Sequence, residues 1–239
     1  MHAANDLKIK IFMDGADIES IKNSSAKFPF VKGFTTNPTL MRKAGVKDYQ
    51  MFAQAALDAA GGLPISFEVF SDDFDDMGRQ ARIIASWGQN AFVKIPITNT
   101  KGESSCPLIG KLMDEGLRLN VTAILPLNQV KKLAEVLNKD VPVIVSVFAG
   151  RVADTGRDPM PHMRDCLSVL RPFPKAELLW ASPRELLNIF QAEEVGCHII
   201  TATPDLLVKL KLVGKDLEEF SLETVKMFYD DACMASFDL

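Results

Sequence analysis

The chain has 239 residues, of which 47% are hydrophobic and 24% are charged, as in ordinary globular proteins. Its formal net charge of −4 lacks the basic excess of nucleic-acid-binding proteins, so we expect no nucleic-acid partner. No apolar run approaches the roughly 20 residues that cross a bilayer, and the first ten residues lack the apolar centre of a signal peptide. We therefore expect a cytoplasmic protein without a membrane partner.

The cysteines, Cys106, Cys166, Cys197 and Cys233, are far apart in the chain, and no pair has the C-x-x-C spacing of zinc or redox sites. We expect four reduced thiols, no bound metal and no cofactor.

Short β-rich runs alternate along the chain with segments in which apolar residues recur three and four positions apart. The runs, in chain order, are LKIKIFMD (7–14), VKGFTTN (31–37), ISFEVF (65–70), AFVKIP (91–96), LRLNVTAI (117–124), VPVIVSVF (141–148), ELLWAS (177–182) and CHIITAT (197–203). The helical segments include 47–60, 76–88, 108–116, 128–137 and 183–196. This alternation predicts βαβ units and a parallel sheet.

Eight such units predict an α/β protein with the (β/α)8 TIM barrel fold. A doubly wound sheet is the alternative, but the first strand is followed by DGADIES, in which Gly15 is the only glycine, and not by a G-x-G-x-x-G turn. We expect one domain over residues 1–239, with the barrel at about 7–210 and a helical extension at about 216–239. The extension has an apolar stripe, and Ser221 is its expected N-cap.

A TIM barrel places its active site where the strands end. Polar or ionisable side chains follow most of the predicted runs, and this clustering is the main indication of an enzyme. The residues at these ends are Asp14, Asn37, Glu68, Lys94, Thr122, Phe148 with Arg151, Ser182 and Thr201.

Lys94 lies inside an apolar run, where burial disfavours a charged ammonium. A neutral amine can attack a carbonyl and form a Schiff base, although a strand lysine can also extend its amine to solvent. Asp14 and Glu68 are the candidate proton-transfer groups. The structural alternatives are an N-cap for Asp14 and an ion pair with Lys94 for Glu68.

Amides and hydroxyls that point inward suit a polyol, and Asn120 and Thr122 share one face of their strand. Asn37, before a proline, is a further candidate, with backbone capping as the alternative for such residues. Arg151 and Arg184 suit a phosphate near the seventh strand, or are surface arginines. The segment 154–163, DTGRDPMPHM, is predicted to be a loop that covers the pocket.

These segments resemble the transaldolases, and among them the short microbial type, from about residue 8 to residue 210. FMDGAD, KGFTTNPTL, SFEVFS, FVKIPIT, LNVTAI, SVFAGRVADTGRDP, WASPRE and GCHIITATPDLL carry the resemblance. It implies a (β/α)8 enzyme without metal or cofactor that transfers a dihydroxyacetone unit between sugar phosphates in the pentose phosphate pathway. It also implies a ring-like homo-oligomer, a pentamer or decamer, in which the C-terminal helix reaches a neighbouring subunit.

The resemblance assigns a role to each candidate. Lys94 would form the Schiff base, Asp14 would exchange the substrate's hydroxyl proton, and Glu68 with Thr122 would position a water. The residues implied to hold dihydroxyacetone are Asn37, Asn120 and Ser146, and those implied to hold phosphate are Arg151, Ser182 and Arg184. Glu68 and Phe148 are the transaldolase choices where the related fructose-6-phosphate aldolases have Gln and Tyr.

Three features depart from the family pattern: the loop 99–107, the stretch 157–163, and Trp180, where a small residue is expected near the pocket mouth. Three other functions stay open. One is an aldolase that releases free dihydroxyacetone, and another is a transaldolase for sugar sulfonates. The third is a non-catalytic sugar-phosphate sensor, which has no need for Lys94, Asp14 and Glu68 together.

Overall fold

The computed structural model describes residues 7–236, so the first six residues and the last three of the predicted extension lie outside the described part. Its strands are β1 (Lys10–Asp14), β2 (Val31–Thr35), β3 (Ile65–Glu68), β4 (Ala91–Pro96), β5 (Leu119–Ile124), β6 (Val143–Val147), β7 (Ala176–Trp180) and β8 (Ile199–Ala202). All pair in parallel and in chain order, and β8 pairs with β1 to close a barrel. The predicted (β/α)8 TIM barrel is confirmed.

Helices follow the strands and cover the outside of the barrel. They are α1 (Ile18–Lys22), α2 (Ser24–Lys27), α3 (Pro38–Lys43), α4 (Tyr49–Ala59), α5 (Phe74–Ser86), α6 (Cys106–Asp114), α7 (Leu127–Ala134), α8 (Ala149–Ala153), α9 (Pro159–Leu170), α10 (Leu187–Val195), α11 (Pro204–Val208) and α12 (Leu217–Ala235), with a 3₁₀ helix at Lys209–Leu212. Within residues 7–236, no helix is both long and apolar enough to cross a membrane.

Apolar side chains fill the lower part of the barrel and support the functional end. One small buried cluster contains Phe12, Ile144, Leu179, Ala181 and Ile199. A Cβ atom at Gly33 would stand 2.6 Å from the Phe12 ring, so only glycine leaves room for this ring. Residues two apart on a strand face the same side. Asp14 and Thr201 therefore stand above this apolar floor, two residues after Phe12 and Ile199.

The segment 154–163 was predicted to be a loop, and that prediction is wrong for its second half. Helix α9 begins at Pro159, and the Asp158 side chain caps it by accepting a hydrogen bond from the Met160 amide at 2.9 Å. Proline is favoured in the first turn of a helix because its fixed φ suits the helix and its missing N–H is not needed there. The two prolines of this segment thus start a helix.

The predicted extension contains one helix, α12, but its predicted start at Ser221 is wrong. The N-cap lies five residues earlier, at Asp216, whose side chain accepts hydrogen bonds from the Glu218 and Glu219 amides. The acidic first turn also suits the positive end of the helix dipole. None of the residues of α12 is buried.

Candidate active site

A cavity of about 420 Å³ opens at the C-terminal ends of the strands. Every strand, or the turn directly after it, contributes to its wall. The residues predicted for the site that line this cavity are Asp14, Asn37, Glu68, Lys94, Thr122, Ser146, Phe148, Arg151, Ser182 and Thr201. Two predicted residues, Asn120 and Arg184, are not among the lining residues. The fold thus brings the candidate nucleophile and both candidate proton-transfer groups into one pocket.

The Lys94 amine is held at the centre of this pocket and does not extend to bulk solvent. The residue is only 7% exposed. Its Nζ donates a hydrogen bond to the Thr36 carbonyl oxygen at 2.9 Å and lies 3.5 Å from Oε2 of Glu68. Neighbouring β3 and β4 pair Glu68 with Lys94 directly across the sheet. The ion pair considered from the sequence is therefore present, and it places a carboxylate within reach of the amine's proton.

Burial raises the pKa of the Glu68 carboxyl above its usual value, because a charged carboxylate is poorly solvated there. The Lys94 ammonium opposes this rise, and the charge of Asp14 adds to it. A raised pKa makes Glu68 a better proton acceptor than an exposed carboxylate. Glu68 is therefore suited to accepting a proton from the amine that lies beside it.

Asp14 faces the cavity and is not an N-cap, because Asp17 caps helix α1 through the Ser20 amide at 2.9 Å. The Asp14 carboxylate accepts a hydrogen bond from the Thr35 hydroxyl at 2.7 Å. Burial raises the pKa of Asp14, against the opposing effects of the Lys94 charge and the Thr35 hydrogen bond. A carboxyl with a raised pKa is suited to taking and returning a proton.

Thr122 has a hydroxyl that can hold a water molecule. Its Oγ1 is buried and, within residues 7–236, makes no hydrogen bond. The next residue, Ala123, has a φ of 59°, in the left-handed region that non-glycine residues rarely adopt. The pairing of β5 with β6 shifts register between Val121 and Ile124, and this irregularity accommodates the turn. Strained backbone of this kind is concentrated at functional sites.

Asn120 lies beneath the cavity wall and is fully buried. Its side-chain N–H donates to the Ser66 hydroxyl at 3.0 Å, and its side-chain oxygen accepts from the Ser146 hydroxyl at 2.6 Å. Ser146 itself lines the cavity. Asn120 thus fixes the serine that faces the pocket, and one of its amide protons is committed to Ser66. The sequence analysis did not predict Ser66, although it lies two residues before Glu68 on the same face of its strand.

Asn37 combines capping with access to the pocket. Its side-chain oxygen accepts a hydrogen bond from the Leu40 amide at 2.9 Å and so caps helix α3. The residue also lines the cavity. The capping role considered from the sequence is therefore present, and it fixes the side chain while its amide nitrogen remains able to donate.

Arg151 stands at the cavity mouth on helix α8, with its guanidinium carbon 5.2 Å from the centre of the Phe148 ring. The turn after β7 packs tightly against this helix. A Cβ atom on Gly150 would stand 1.5 Å from the Ser182 carbonyl oxygen, so only glycine fits. Ser182, which has a φ of 58°, therefore lies against Gly150, the residue that precedes Arg151 in the chain. A guanidinium and a hydroxyl in this arrangement suit an anion.

Arg184 is outside the cavity wall because it pairs with Asp154. Its guanidinium donates two hydrogen bonds to the Asp154 carboxylate, one of them at 2.9 Å. Both side chains are about half exposed. The hydrogen bonds from Arg184 lower the pKa of Asp154, and the positive charge of Arg151 lowers it further. An anion at the mouth would therefore meet Arg151 first.

Trp180 does not approach the pocket mouth as the sequence analysis expected. It is fully buried in the large apolar cluster with Leu178, whereas the next residues, Ala181 and Ser182, line the cavity. Alternation along β7 accounts for this, because Leu179 points into the barrel and its neighbour must point out. Trp180, the departure from the family pattern at this position, therefore packs away from the pocket and is not among its lining residues.

A larger cavity, of about 620 Å³, opens at the opposite end of the barrel. Its wall is mainly apolar, and its one acidic lining residue, Glu177, forms an ion pair with Lys10 at 2.7 Å. Size therefore does not identify the site here. Converging groups with perturbed pKa values identify active sites better than volume does, and these groups meet only in the smaller cavity.

Comparison with known proteins agrees with this geometry. The family model for transaldolase/fructose-6-phosphate aldolase matches residues 11–237. The chain belongs to this family. It is 34% identical over 203 residues to a probable transaldolase of Dehalococcoides mccartyi, which covers 84% of this chain and 90% of that protein. It is likewise 34% identical over 216 residues to probable transaldolase 2 of Listeria monocytogenes, with 89% of this chain and 94% of that protein covered.

Solved structures of low identity share the fold alone. The 3-hexulose-6-phosphate synthase of Salmonella typhimurium superimposes with a TM-score of 0.56 at 12% identity. The match covers 82% of this chain and 89% of that one. It supports the barrel and carries no argument about the reaction.

Proposed function

We propose that the protein is a transaldolase that forms a Schiff base on Lys94. It would transfer a dihydroxyacetone unit from sedoheptulose 7-phosphate or fructose 6-phosphate to an aldose phosphate, as in the pentose phosphate pathway. The observation that carries this proposal is the buried Lys94 amine, 3.5 Å from Glu68 in a cavity that Asp14 also lines. Family membership supports the same reaction class.

The first stage is attack of the amine on the ketose carbonyl. Lys94 must lose a proton to become a nucleophile, and Glu68, with its raised pKa, is placed to accept it. Addition gives a carbinolamine, which loses its hydroxyl as water when Glu68 returns the proton. The Thr122 hydroxyl can hold that water beside Glu68. The product of this stage is an iminium between Lys94 and the sugar.

The second stage breaks the carbon–carbon bond. Two carbons form the bond that breaks, and one of them leaves as part of the aldose phosphate. Asp14 removes the proton from the hydroxyl on that carbon, and the oxygen becomes the carbonyl of the departing aldose phosphate. The electron pair of the broken bond moves into the iminium, which becomes an enamine. An acceptor aldose phosphate then takes the place of the departed one, and the enamine attacks its carbonyl to form a new carbon–carbon bond. Water finally hydrolyses the iminium and releases the new ketose from Lys94.

The polar wall supports substrate binding at both ends of the sugar. Asn37 and Ser146, with Asn120 behind it, can hold the hydroxyls of the dihydroxyacetone unit. Arg151 and Ser182 at the mouth can hold the phosphate. Arg184 would join them only by exchanging its bond to Asp154 for one to the phosphate.

We also propose that the protein is a cytoplasmic homo-oligomer, with α12 against a neighbouring subunit. Large apolar side chains of α12 are exposed, and none of its residues is buried against its own barrel. These side chains are Leu217, Phe220, Leu222, Val225, Met227, Phe228, Tyr229 and Met234. Exposed apolar surface of this extent on one helix is typical of a protein interface. The four free cysteines are compatible with a reducing compartment.

One assay separates this function from its alternatives. The protein is mixed with fructose 6-phosphate, with and without erythrose 4-phosphate, and glyceraldehyde 3-phosphate is measured. Release only with the acceptor supports a transaldolase. Release together with free dihydroxyacetone when the acceptor is left out indicates an aldolase. Turnover restricted to sugar sulfonates would replace the phosphate assignment, and no turnover of either class would favour the sensor.

A further inference from the structure

Thr201 lies next to the last residue of β8 and lines the cavity, yet the proposed reaction gives it no part. Its hydroxyl oxygen lies 2.5 Å from the Thr35 hydroxyl oxygen, which in turn lies 2.7 Å from Oδ1 of Asp14. Closure of the barrel creates this contact, because β1 pairs with β8 on one side and with β2 on the other. Thr35 and Thr201 are 2% and 7% exposed, so the chain of oxygens is shielded from bulk water.

The chemistry of the three groups fixes the direction of these hydrogen bonds. Each threonine hydroxyl has one proton to donate, and an ionised carboxylate only accepts. Thr35 therefore donates to Asp14 when Asp14 is ionised. With that proton committed, Thr201 must donate to Thr35. Hydrogen bonds in such a chain polarise and strengthen one another in a buried setting.

We propose that Thr201 is a positioning residue that acts through Thr35 on the Asp14 carboxylate. The Thr35 hydroxyl occupies Oδ1, and the Thr201 hydroxyl holds Thr35 from behind. Together they fix the plane of the carboxylate, which leaves Oδ2 as the oxygen that exchanges the substrate's hydroxyl proton. This inference rests on the proposed function, because it assigns a task to the proton-transfer group of that reaction. The charged groups that face Asp14 across the barrel are Lys94 and Glu68, and neither contacts Thr201 through a hydrogen bond.

The inference predicts a specific pattern among variants. Thr201→Val keeps the shape and removes the hydroxyl, so kcat should fall by about 2–10-fold, and Thr201→Ser should restore it. Thr35→Val removes the direct bond to an ionised group, and kcat should fall by about 10–100-fold. In the double variant, loss of Thr201 should add nothing to loss of Thr35, because the second hydroxyl acts only through the first.

The pH dependence separates a positioning role from simple packing. Hydrogen bonds to the ionised form hold a carboxyl pKa down, so Thr201→Val should move the acid limb of the kcat profile to higher pH. Thr203→Val is the matched control, because the Thr203 side chain makes no capping bond at the start of α11. It should leave both kcat and the profile unchanged. A Thr201→Val profile identical to that of the unchanged protein would overturn the inference.

A measurement on the resting protein keeps this test independent of turnover. The Asp14 carboxyl is titrated by carbon-13 NMR, with Asp14→Asn used to assign its signal. Its pKa should rise in Thr201→Val and return in Thr201→Ser, and an unchanged pKa refutes the inference. Thr201→Val should also form the borohydride-trapped adduct on Lys94 normally, since that step does not use Asp14. If the protein without any substitution formed no such adduct on Lys94, the proposed function would be refuted instead.

Discussion

Replacement of Arg151 by alanine tests the anion site at the cavity mouth. Among residues 7–236, Arg151 forms no ion pair with a carboxylate, and its guanidinium rests on the Phe148 ring. It can therefore bind a phosphate without giving up another ionic partner. A charge-assisted hydrogen bond contributes about 1.5–3 kcal/mol, which corresponds to roughly 10–150-fold in affinity. Because Arg151 is exposed and salt screens exposed charges, we expect the lower part of this range, about 10–30-fold.

The pairing of Arg184 with Asp154 predicts a difference between the two arginines. Arg184 would have to exchange its carboxylate for the phosphate, so its replacement by alanine should weaken phosphate binding by only about 2–5-fold. Asp154→Asn should release Arg184 and tighten the binding of phosphorylated substrate. The order of effects, with Arg151 the larger, follows from the structure and not from the family resemblance.

The assay compares a ketose phosphate with dihydroxyacetone, which carries no phosphate. Affinity for each is taken from the concentration dependence of borohydride trapping on the protein. Arg151→Ala should weaken the ketose phosphate and leave dihydroxyacetone nearly unchanged, and Arg157→Ala, an exposed arginine that does not line the cavity, should change neither. Equal losses for both ligands in Arg151→Ala would show that Arg151 supports the fold instead.

Three further predictions concern stability and assembly. Asp14→Asn should raise Tm at neutral pH, because burial raises the folded-state pKa of Asp14 and its charge opposes folding. The gain should vanish as pH falls to the ordinary value of 3.8, and a gain that grows in acid would contradict this reasoning. Gly150→Ala should cost roughly 3 kcal/mol and lower Tm by about 6–12 °C, whereas Gly15→Ala, with open space around its Cβ, should not; similar melting of both would refute the packing argument. Val225→Asp with Phe228→Asp should reduce the mass seen by light scattering to that of a monomer without unfolding the barrel, and an unchanged mass would remove α12 as the interface.

The strands were predictable because parallel strands in a barrel are covered on both faces and therefore form nearly continuous apolar runs. The five residues of β6 are all buried, for example, and in the sequence Ser146 is the one polar residue among them. Asp14, Glu68 and Lys94 stood out because charged residues are rarely buried unless they are paired, and each lies toward the end of such a run.

Contacts between distant segments could not be predicted in this way. The Arg184–Asp154 pair joins two turns that are 30 residues apart, and nothing local in either turn indicates the partner. The Thr201–Thr35 hydrogen bond exists only because the last strand returns to the first. The depth of Asn120 depends on which layer of the barrel its strand reaches. Alternation alone predicts its direction but not its distance from the cavity.

Other wrong predictions concerned positions where the sequence does contain a local signal. Trp180 lies between two inward positions of one strand, so alternation already predicts that it points outward. Asp158 followed by Pro159 is a helix-start signal, but the prolines and glycine of the segment suggested a loop. Ser221 and Asp216 are both good N-caps, and the choice between them needed the backbone geometry of the turn.

The central claim is that Lys94 carries the covalent intermediate, and borohydride trapping tests it most directly. The protein is incubated with fructose 6-phosphate, reduced with borohydride and digested, and the modified peptide is identified by mass. Lys32→Met, at the opposite end of the barrel, is the matched control. The account predicts one reduced adduct on Lys94 that persists in Lys32→Met and is absent in Lys94→Met. An adduct on a different lysine, or none with any ketose phosphate, would contradict it.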